Sequence, residues 1–419
     1  MSKTRSFYVR SITFFVLSIP GAFISYLIYP VLARLLSLSQ FGDYVTIIGI
    51  SNQALGILLA FSVLSIALVK QYGEKEANVK ARVIQKVLLW LFMALSVVLL
   101  ILSPLLQQLL NIQYGASFIA LAAIMLLSVP MNIWTGFLQG NKEQIRVGLF
   151  AVGSALVKFV LIIMFAQLYG TLGGLFGFAL GTLLGLALLY WLPGKEVPSL
   201  RSVFTKLHKS EKLFLPDNKW YMLQAVFVVG SLVFLQNYDL IRVKALFDPA
   251  SAGIYSGISV FSNALYFVVF LLIWILLPEF SVHNPTNNRR VLRTAYIVIA
   301  GLILCVLFGG IAFANKLLPL LLGQSFAGQS TTLIVASLYQ ISLVSVALYA
   351  FYLLVLRKKR STLLSGSVLA SCLITAFIQT SSPLRLISLL LIAVISGVLL
   401  YASGMIVLRL ASTRDTAST

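Results

Sequence analysis

Charge is what this chain has least of. Only 10% of its 419 residues are Asp, Glu, Lys or Arg, where a soluble domain carries about 25%. Acids are scarcest, with 11 Asp and Glu against 31 Lys and Arg. So few charges cannot cover a water-exposed globule, and a soluble fold is excluded. Cysteine is nearly absent. Cys305 and Cys372 both lie inside apolar runs, where cysteine acts as a small core residue rather than a disulfide or thiolate ligand. The two histidines, His208 and His283, are 75 positions apart, which is no metal-ligand spacing. The sequence also has no acid pair, no Ser–His arrangement and no phosphate-cradling glycine loop. The chain therefore does not read as an enzyme. No connection is long enough for a globular domain, which speaks against polymerases and glycosyltransferases that carry one.

What is present is apolar. Hydrophobic residues make up 60% of the chain and the mean hydropathy is +0.99. A membrane-crossing helix needs roughly 20 apolar residues. Twelve such runs can be placed: 11–33, 41–69, 87–103, 115–138, 147–168 and 172–192 in the first half. The second half supplies 221–241, 253–280, 291–313, 331–356, 362–380 and 386–408. The basic start Lys3, Arg5, Arg10 resembles a signal peptide. The run behind it is too long, however, and no small-residue cleavage site follows, so it reads as an uncleaved first span. Pro20 and Pro30 are expected to bend it.

Alternate connections hold 25 of the Lys and Arg residues and the opposite side holds 5. That bias puts both termini in the cytoplasm. It also gives the net charge of +20 a plain cause in topology and anionic headgroups. The basic residues are spread over seven segments, so nucleic acid is not an expected partner. The division expected is 1–192, a linker at 193–220 and 221–419. Within the linker, Leu200, Val203, Phe204 and Leu207 recur at helical spacing beside Arg201, Lys206 and Lys209. They read either as an amphipathic helix on the inner leaflet or as a flexible linker.

The two halves echo each other. Gly42, Tyr44, Ser51 and Asn52 match Gly253, Tyr255, Ser262 and Asn263 at a constant offset of 211. Pro104–Leu105–Leu106 matches Pro319–Leu320–Leu321 at 215. An offset near half the length points to duplication, a common transporter construction. Gly173, Gly177, Gly181 and Gly185 recur by fours, which predicts a close-packing helix face.

Seven polar side chains are candidates for function. Lys158 lies near the middle of the fifth span, where a lone ammonium is costly unless it faces a cavity or a partner. It either contacts a cargo, or snorkels, or pairs with a buried carbonyl or acid. Arg34 ends the first span, as a cargo contact near the exit or as an interfacial anchor. Lys244 reads the same way. Asp239 sits inside the far end of the seventh span with Arg242 at i+3, within reach of a helical ion pair. It either takes a proton or Na⁺ or fixes the helix end. Asn237, about 160° round a regular helix from it, is expected to face elsewhere. Glu279, after Pro278, is a gate residue or a solvated helix end. The cargo cations expected are thus Lys158, Arg34, Arg242 and Lys244, and the coupling or gating residues Asp239, Asn237 and Glu279.

The motifs fall in a recognisable order. Leu32–Ala33–Arg34–Leu35–Leu36–Ser37 and Phe41–Gly42–Asp43–Tyr44 come first, then Leu138–Gln139–Gly140. Asp239, Ala252–Gly253–Ile254–Tyr255, Leu277–Pro278–Glu279 and Leu321–Leu322–Gly323 follow. In this order the chain resembles the Wzx-type polysaccharide flippases of the multidrug/oligosaccharidyl-lipid/polysaccharide (MOP) exporter superfamily. The resemblance implies an all-α membrane protein with twelve transmembrane helices in two six-helix bundles around a central cavity. It implies a multi-pass protein of the bacterial inner membrane that moves an undecaprenyl-diphosphate-linked oligosaccharide to the outer leaflet. The partners it implies are that lipid, the surrounding membrane lipids, and a glycan polymerase with its chain-length regulator. No cofactor is implied beyond H⁺ or Na⁺ as coupling ion. The alternative is a cation-coupled drug antiporter of the same superfamily. Those proteins usually carry an acid in the first span, and residues 11–33 have none. A major-facilitator porter would show a Gly–x–x–x–Asp–Arg–x–Gly–Arg loop after its second span, which is missing here. A non-transporting scaffold of glycan assembly is the remaining reading.

Overall fold

An apolar run in hydrocarbon can satisfy its backbone only within itself, and the helix is the way to do so. The computed structural model, which describes residues 3–192, 197–198, 219–276 and 285–417, is helical accordingly. In chain order the helices are α1 (Lys3–Leu35), α2 (Leu38–Leu109), α3 (Ser117–Gly140) and α4 (Gln144–Trp191). Then come α5 (Lys219–Gln236), α6 (Tyr238–Leu246), α7 (Pro249–Leu276), α8 (Pro285–Leu322), α9 (Ser330–Val355), α10 (Arg360–Ile374) and α11 (Pro383–Ala417).

Two of these are pairs of arms. Gly73 (φ 74°) breaks α2 and Gly170 (φ 59°) breaks α4, in backbone conformations that glycine adopts without steric cost. Among the described residues seven helices are long and apolar enough to cross a membrane, or eight with α5 and α6 as one bent span. Counting arms, and α5–α6 once, each half has six helical segments. The chain divides into two compact units, Met1–Leu215 and Pro216–Thr419. The predicted linker helix at 200–207 lies outside the described residues.

The charged stretch 70–86, expected as a connection, is helical apart from Gly73. Its Lys, Glu, Ala and Gln residues are good helix formers, so the second arm of α2 begins before its apolar part. Glu76 and Lys80 pair at 3.3 Å across one turn there, and Lys80 Nζ lies 4.1 Å from the centre of the Tyr72 ring.

Within the first unit α2 packs on α3, and α4 receives both α1 and α3. The glycine stripe sets the packing inside α4. A Cβ added at Gly177, Gly181 or Gly185 would lie 2.6 Å from the Leu161 carbonyl oxygen, 2.9 Å from Lys158 Cα and 3.1 Å from Ser154 Cβ respectively. The two arms therefore approach along their whole length, as small residues at every fourth position allow. In the second unit α9 is the hub, touching α5, α7, α8, α10 and α11.

Burial repeats between the units. The fourth and tenth segments, α3 and α9, are each 61% buried over their apolar core. The third and ninth, the second arm of α2 and α8, are only 17% and 11% buried. The offset-211 positions agree: Gly42 and Gly253, Tyr44 and Tyr255, and Ser51 and Ser262 are buried, while Asn52 and Asn263 are half-buried.

Candidate functional site

The seventh segment, expected as one straight span, is broken. Helix α5 stops at Gln236, α6 starts at Tyr238, and the two are bent by 46°. No proline or glycine stands at the break, so the cause must be side chains entering the hydrogen-bond ladder. Two from α9 do so. The Tyr339 hydroxyl donates to the Leu235 carbonyl at 2.8 Å, and Gln340 Nε2 donates to the Gln236 carbonyl at 2.9 Å. These are carbonyls that the end of α5 leaves without helical donors.

The break gathers a buried polar cluster. Asp239 is 0% exposed. Its Oδ2 accepts the Tyr255 hydroxyl of α7. Asn263 Nδ2, two turns further along α7, lies 3.5 Å from Asn237 Oδ1 and 3.4 Å from Ser259 Oγ. Tyr255, Ser259 and Asn263 recur every fourth residue, so one face of α7 meets the break. Four side-chain atoms of this cluster are buried with no hydrogen-bond partner among the described residues: Asp239 Oδ1, Asn263 Oδ1, Gln340 Oε1 and Asn237 Nδ2. Orphaned buried polar atoms are rare and need a reason. Three of these four are oxygens, one a carboxylate. Such a set suits a proton or a hard monovalent cation and offers nothing to a soft metal.

Two expectations are corrected here. A regular helix would put Asn237 on the far side from Asp239. The break removes that geometry, and both residues now meet α7. The Asp239–Arg242 ion pair expected at i+3 is not formed. Asp239 takes Tyr255, and Arg242 Nη2 donates to the carbonyls of Thr375 and Ala376, each at 3.3 Å. Those carbonyls close the end of α10, where a cation is favoured, so Arg242 ties α6 to α10.

The remaining candidates separate. Lys244 is 1% exposed, which does not fit an interfacial anchor. Arg34 is exposed at the end of α1. Glu279 lies outside the described residues. Lys158 is half-buried in the first arm of α4. Its stem packs on Gly181, and its Nζ sits over the Phe178 ring at 4.7 Å from the centre. An aromatic face stabilises an ammonium by about 0.5–2 kcal/mol, less than a full counter-ion would.

Sequence reasoning missed Tyr339 and Gln340, which sit in an unremarkable apolar run. It noted Tyr255 and Asn263 only as members of the repeat. It also passed over Asp43, a buried acid whose Oδ2 accepts the Gln113 backbone N–H at 2.9 Å and so fixes the loop before α3.

Apolar helices of membrane-crossing length, arranged in two compact units with a glycine-packed hairpin in one and a broken span in the other, define a polytopic helical membrane fold. More particularly, it is the fold of MATE transporters and of MurJ. An inward-facing multidrug resistance MATE family transporter of the MOP superfamily matches with a TM-score of 0.62 and 15% identity over 92% of this chain and 95% of that one. Lipid II flippase MurJ in an inward closed conformation matches with a TM-score of 0.63 and 14% identity over 95% and 87%. The eukaryotic MATE transporter AtDTX14 matches with a TM-score of 0.54 and 14% identity over 94% and 96%. No family model and no curated protein matches the sequence.

Proposed function

We propose that this protein is a lipid-linked oligosaccharide flippase of the Wzx type. Its cargo is an undecaprenyl-diphosphate-linked O-antigen or related surface-glycan unit, moved from the inner to the outer leaflet of a bacterial inner membrane by alternating access. The observation that carries this reading is Lys158. It is an ammonium at mid-span, held over an aromatic ring on a glycine-packed helix pair, and it suits a diphosphate that must cross hydrocarbon. The likeness in fold to a protein described as a lipid II flippase points the same way. Lys244, buried in α6, is a second cation for the cargo path; Arg34 is the cation nearest an exit.

The cluster around Asp239 is proposed as the seat of the coupling ion, H⁺ or Na⁺. Burying a carboxylate is costly unless a proton, a cation or hydrogen bonds compensate. Tyr255 supplies one bond and the Leu240 N–H and Gln340 side chain also approach the carboxylate, while the orphaned oxygens leave room for the ion to supply the rest.

The test is genetic and direct. Deletion is expected to accumulate cytoplasm-facing lipid-linked oligosaccharide. Lys158→Ala is expected to abolish surface glycan at unchanged protein level, and Lys158→Arg to retain part of it. Normal glycan in Lys158→Ala would remove the residue from the mechanism. The second reading is a cation-coupled drug antiporter, favoured by the match to a multidrug MATE transporter. Altered dye or drug resistance on deletion, without accumulated lipid-linked oligosaccharide, would establish it in place of the flippase.

A further inference from the structure

Away from the polar cluster, the second unit holds a cavity of about 550 Å³ walled by α8, α9, α10 and α11. That volume lies within the roughly 300–1,000 Å³ of small-molecule sites. Tyr296 comes from α8, Ser342, Ser345 and Tyr349 from α9, Leu364 from α10 and Val394 from α11. Three of the four hydroxyls among them are turned into the walls. Ser342 Oγ donates to the Tyr339 carbonyl and Ser345 Oγ to the Ile341 carbonyl, both at 2.7 Å, and the Tyr296 hydroxyl donates to the Ser345 carbonyl at 3.3 Å. What faces the cavity is therefore mostly hydrocarbon. Such a chamber favours an apolar guest over water or an ion.

One end differs. Tyr349 stands about two turns before the end of α9, and Leu364 one turn after the start of α10. Between them runs Arg357–Lys358–Lys359–Arg360, all four exposed. Tyr401 of α11 lies near both Tyr349 and Arg360. The chamber thus has a cationic mouth. One side is open as well, since the lining residues Ile395 and Leu399 are 51% and 63% exposed. An apolar chamber, a side entrance and four cations at one end complement a long hydrocarbon chain that carries a phosphate.

We infer that this cavity seats the polyprenyl chain of the cargo, with the Arg357–Arg360 run holding its phosphate. The inference rests on the flippase reading above and assigns to the second unit a task separate from ion coupling. The competing occupant is the acyl chain of an ordinary anionic phospholipid.

The experiment is native mass spectrometry of the detergent-purified full chain with added undecaprenyl phosphate or phosphatidylglycerol. Two variants fill the cavity from opposite walls, Ser342→Phe and Val394→Phe. A third, K358S/K359S/R360S, changes only exposed residues at the mouth. Either filling variant, at unchanged melting temperature, is expected to bind undecaprenyl phosphate at least tenfold more weakly with phosphatidylglycerol unaffected. The mouth variant is expected to weaken undecaprenyl phosphate binding and leave undecaprenol binding unchanged. Wild-type binding in a filled variant, or in the mouth variant, would overturn the inference while leaving the flippase reading intact. Equal loss of both lipids would assign the cavity to bulk phospholipid and overturn it too. A wild-type protein that prefers phosphatidylglycerol to undecaprenyl phosphate would sink the flippase reading itself, and this inference with it.

Discussion

Replacing Asp239 by Asn separates the coupling role from the structural one. The two side chains have nearly the same shape, and the amide oxygen of Asn can still accept the Tyr255 hydroxyl. The bond changes from charge-assisted to neutral, so folding is expected to lose only about 1–1.5 kcal/mol, the difference between the two kinds of bond. A bound cation loses far more. A unit charge about 4 Å from a carboxylate gains about 4 kcal/mol at an effective dielectric constant near 20. At about 1.4 kcal/mol per decade, that is roughly a thousandfold in affinity. The assay is thermal unfolding of the purified protein against Na⁺ concentration at fixed ionic strength. Na⁺ at about 100 times its Kd should stabilise the wild type by about 2.7 kcal/mol, and Asp239→Asn should show almost none of this. If the ion is a proton, the wild type should respond to pH and not to Na⁺, and the variant should lose that response. Surface glycan should disappear in the variant in either case. A variant that keeps its ion response and exports glycan normally would refute the assignment of Asp239.

Other substitutions test the packing. Gly181→Val places a Cβ 2.9 Å from Lys158 Cα, and overpacking of this kind costs typically 1–3 kcal/mol. A lowered melting temperature with loss of export is expected, whereas Gly301→Ala, with nothing within 4 Å of the added carbon, should leave both unchanged. Arg242→Ala removes two bonds to the end of α10 and should cost about 1–3 kcal/mol in stability, read by thermal unfolding, while export persists in the folded fraction. Loss of export at unchanged stability would return Arg242 to the cargo path.

The difference between Lys158 and Arg242 shows what sequence reasoning could reach. Lys158 stands out in any reading because a charge at mid-span is costly wherever it points. Arg242 looked equally available, but its partners are 133 and 134 residues away, in the turn after α10. The break at Asn237 was hidden for the same reason. Neither proline nor glycine marks it, and the side chains that produce it come from 104 residues downstream. Tyr255 and Asn263 are legible in the sequence as members of the repeat. What the repeat could not say is that, among the described residues, the tyrosine of the second half bonds an acid and that of the first half does not. At the same offset, Asp239 corresponds to Ile28.

Hydrophobic run lengths and the fourfold glycine spacing determined that the chain is built of apolar helices and that the two arms of α4 pack as a glycine-lined hairpin. All of these rest on local physics: the thickness of the hydrocarbon layer, the self-sufficiency of the helix and the spacing of small residues. The tertiary structure decided which polar groups meet. Hydrogen bonds across a bundle join residues that sequence separation does not rank, so the Asp239 cluster, the capping role of Arg242 and the cavity behind Tyr296 became visible only once α6, α7, α9 and α11 were packed.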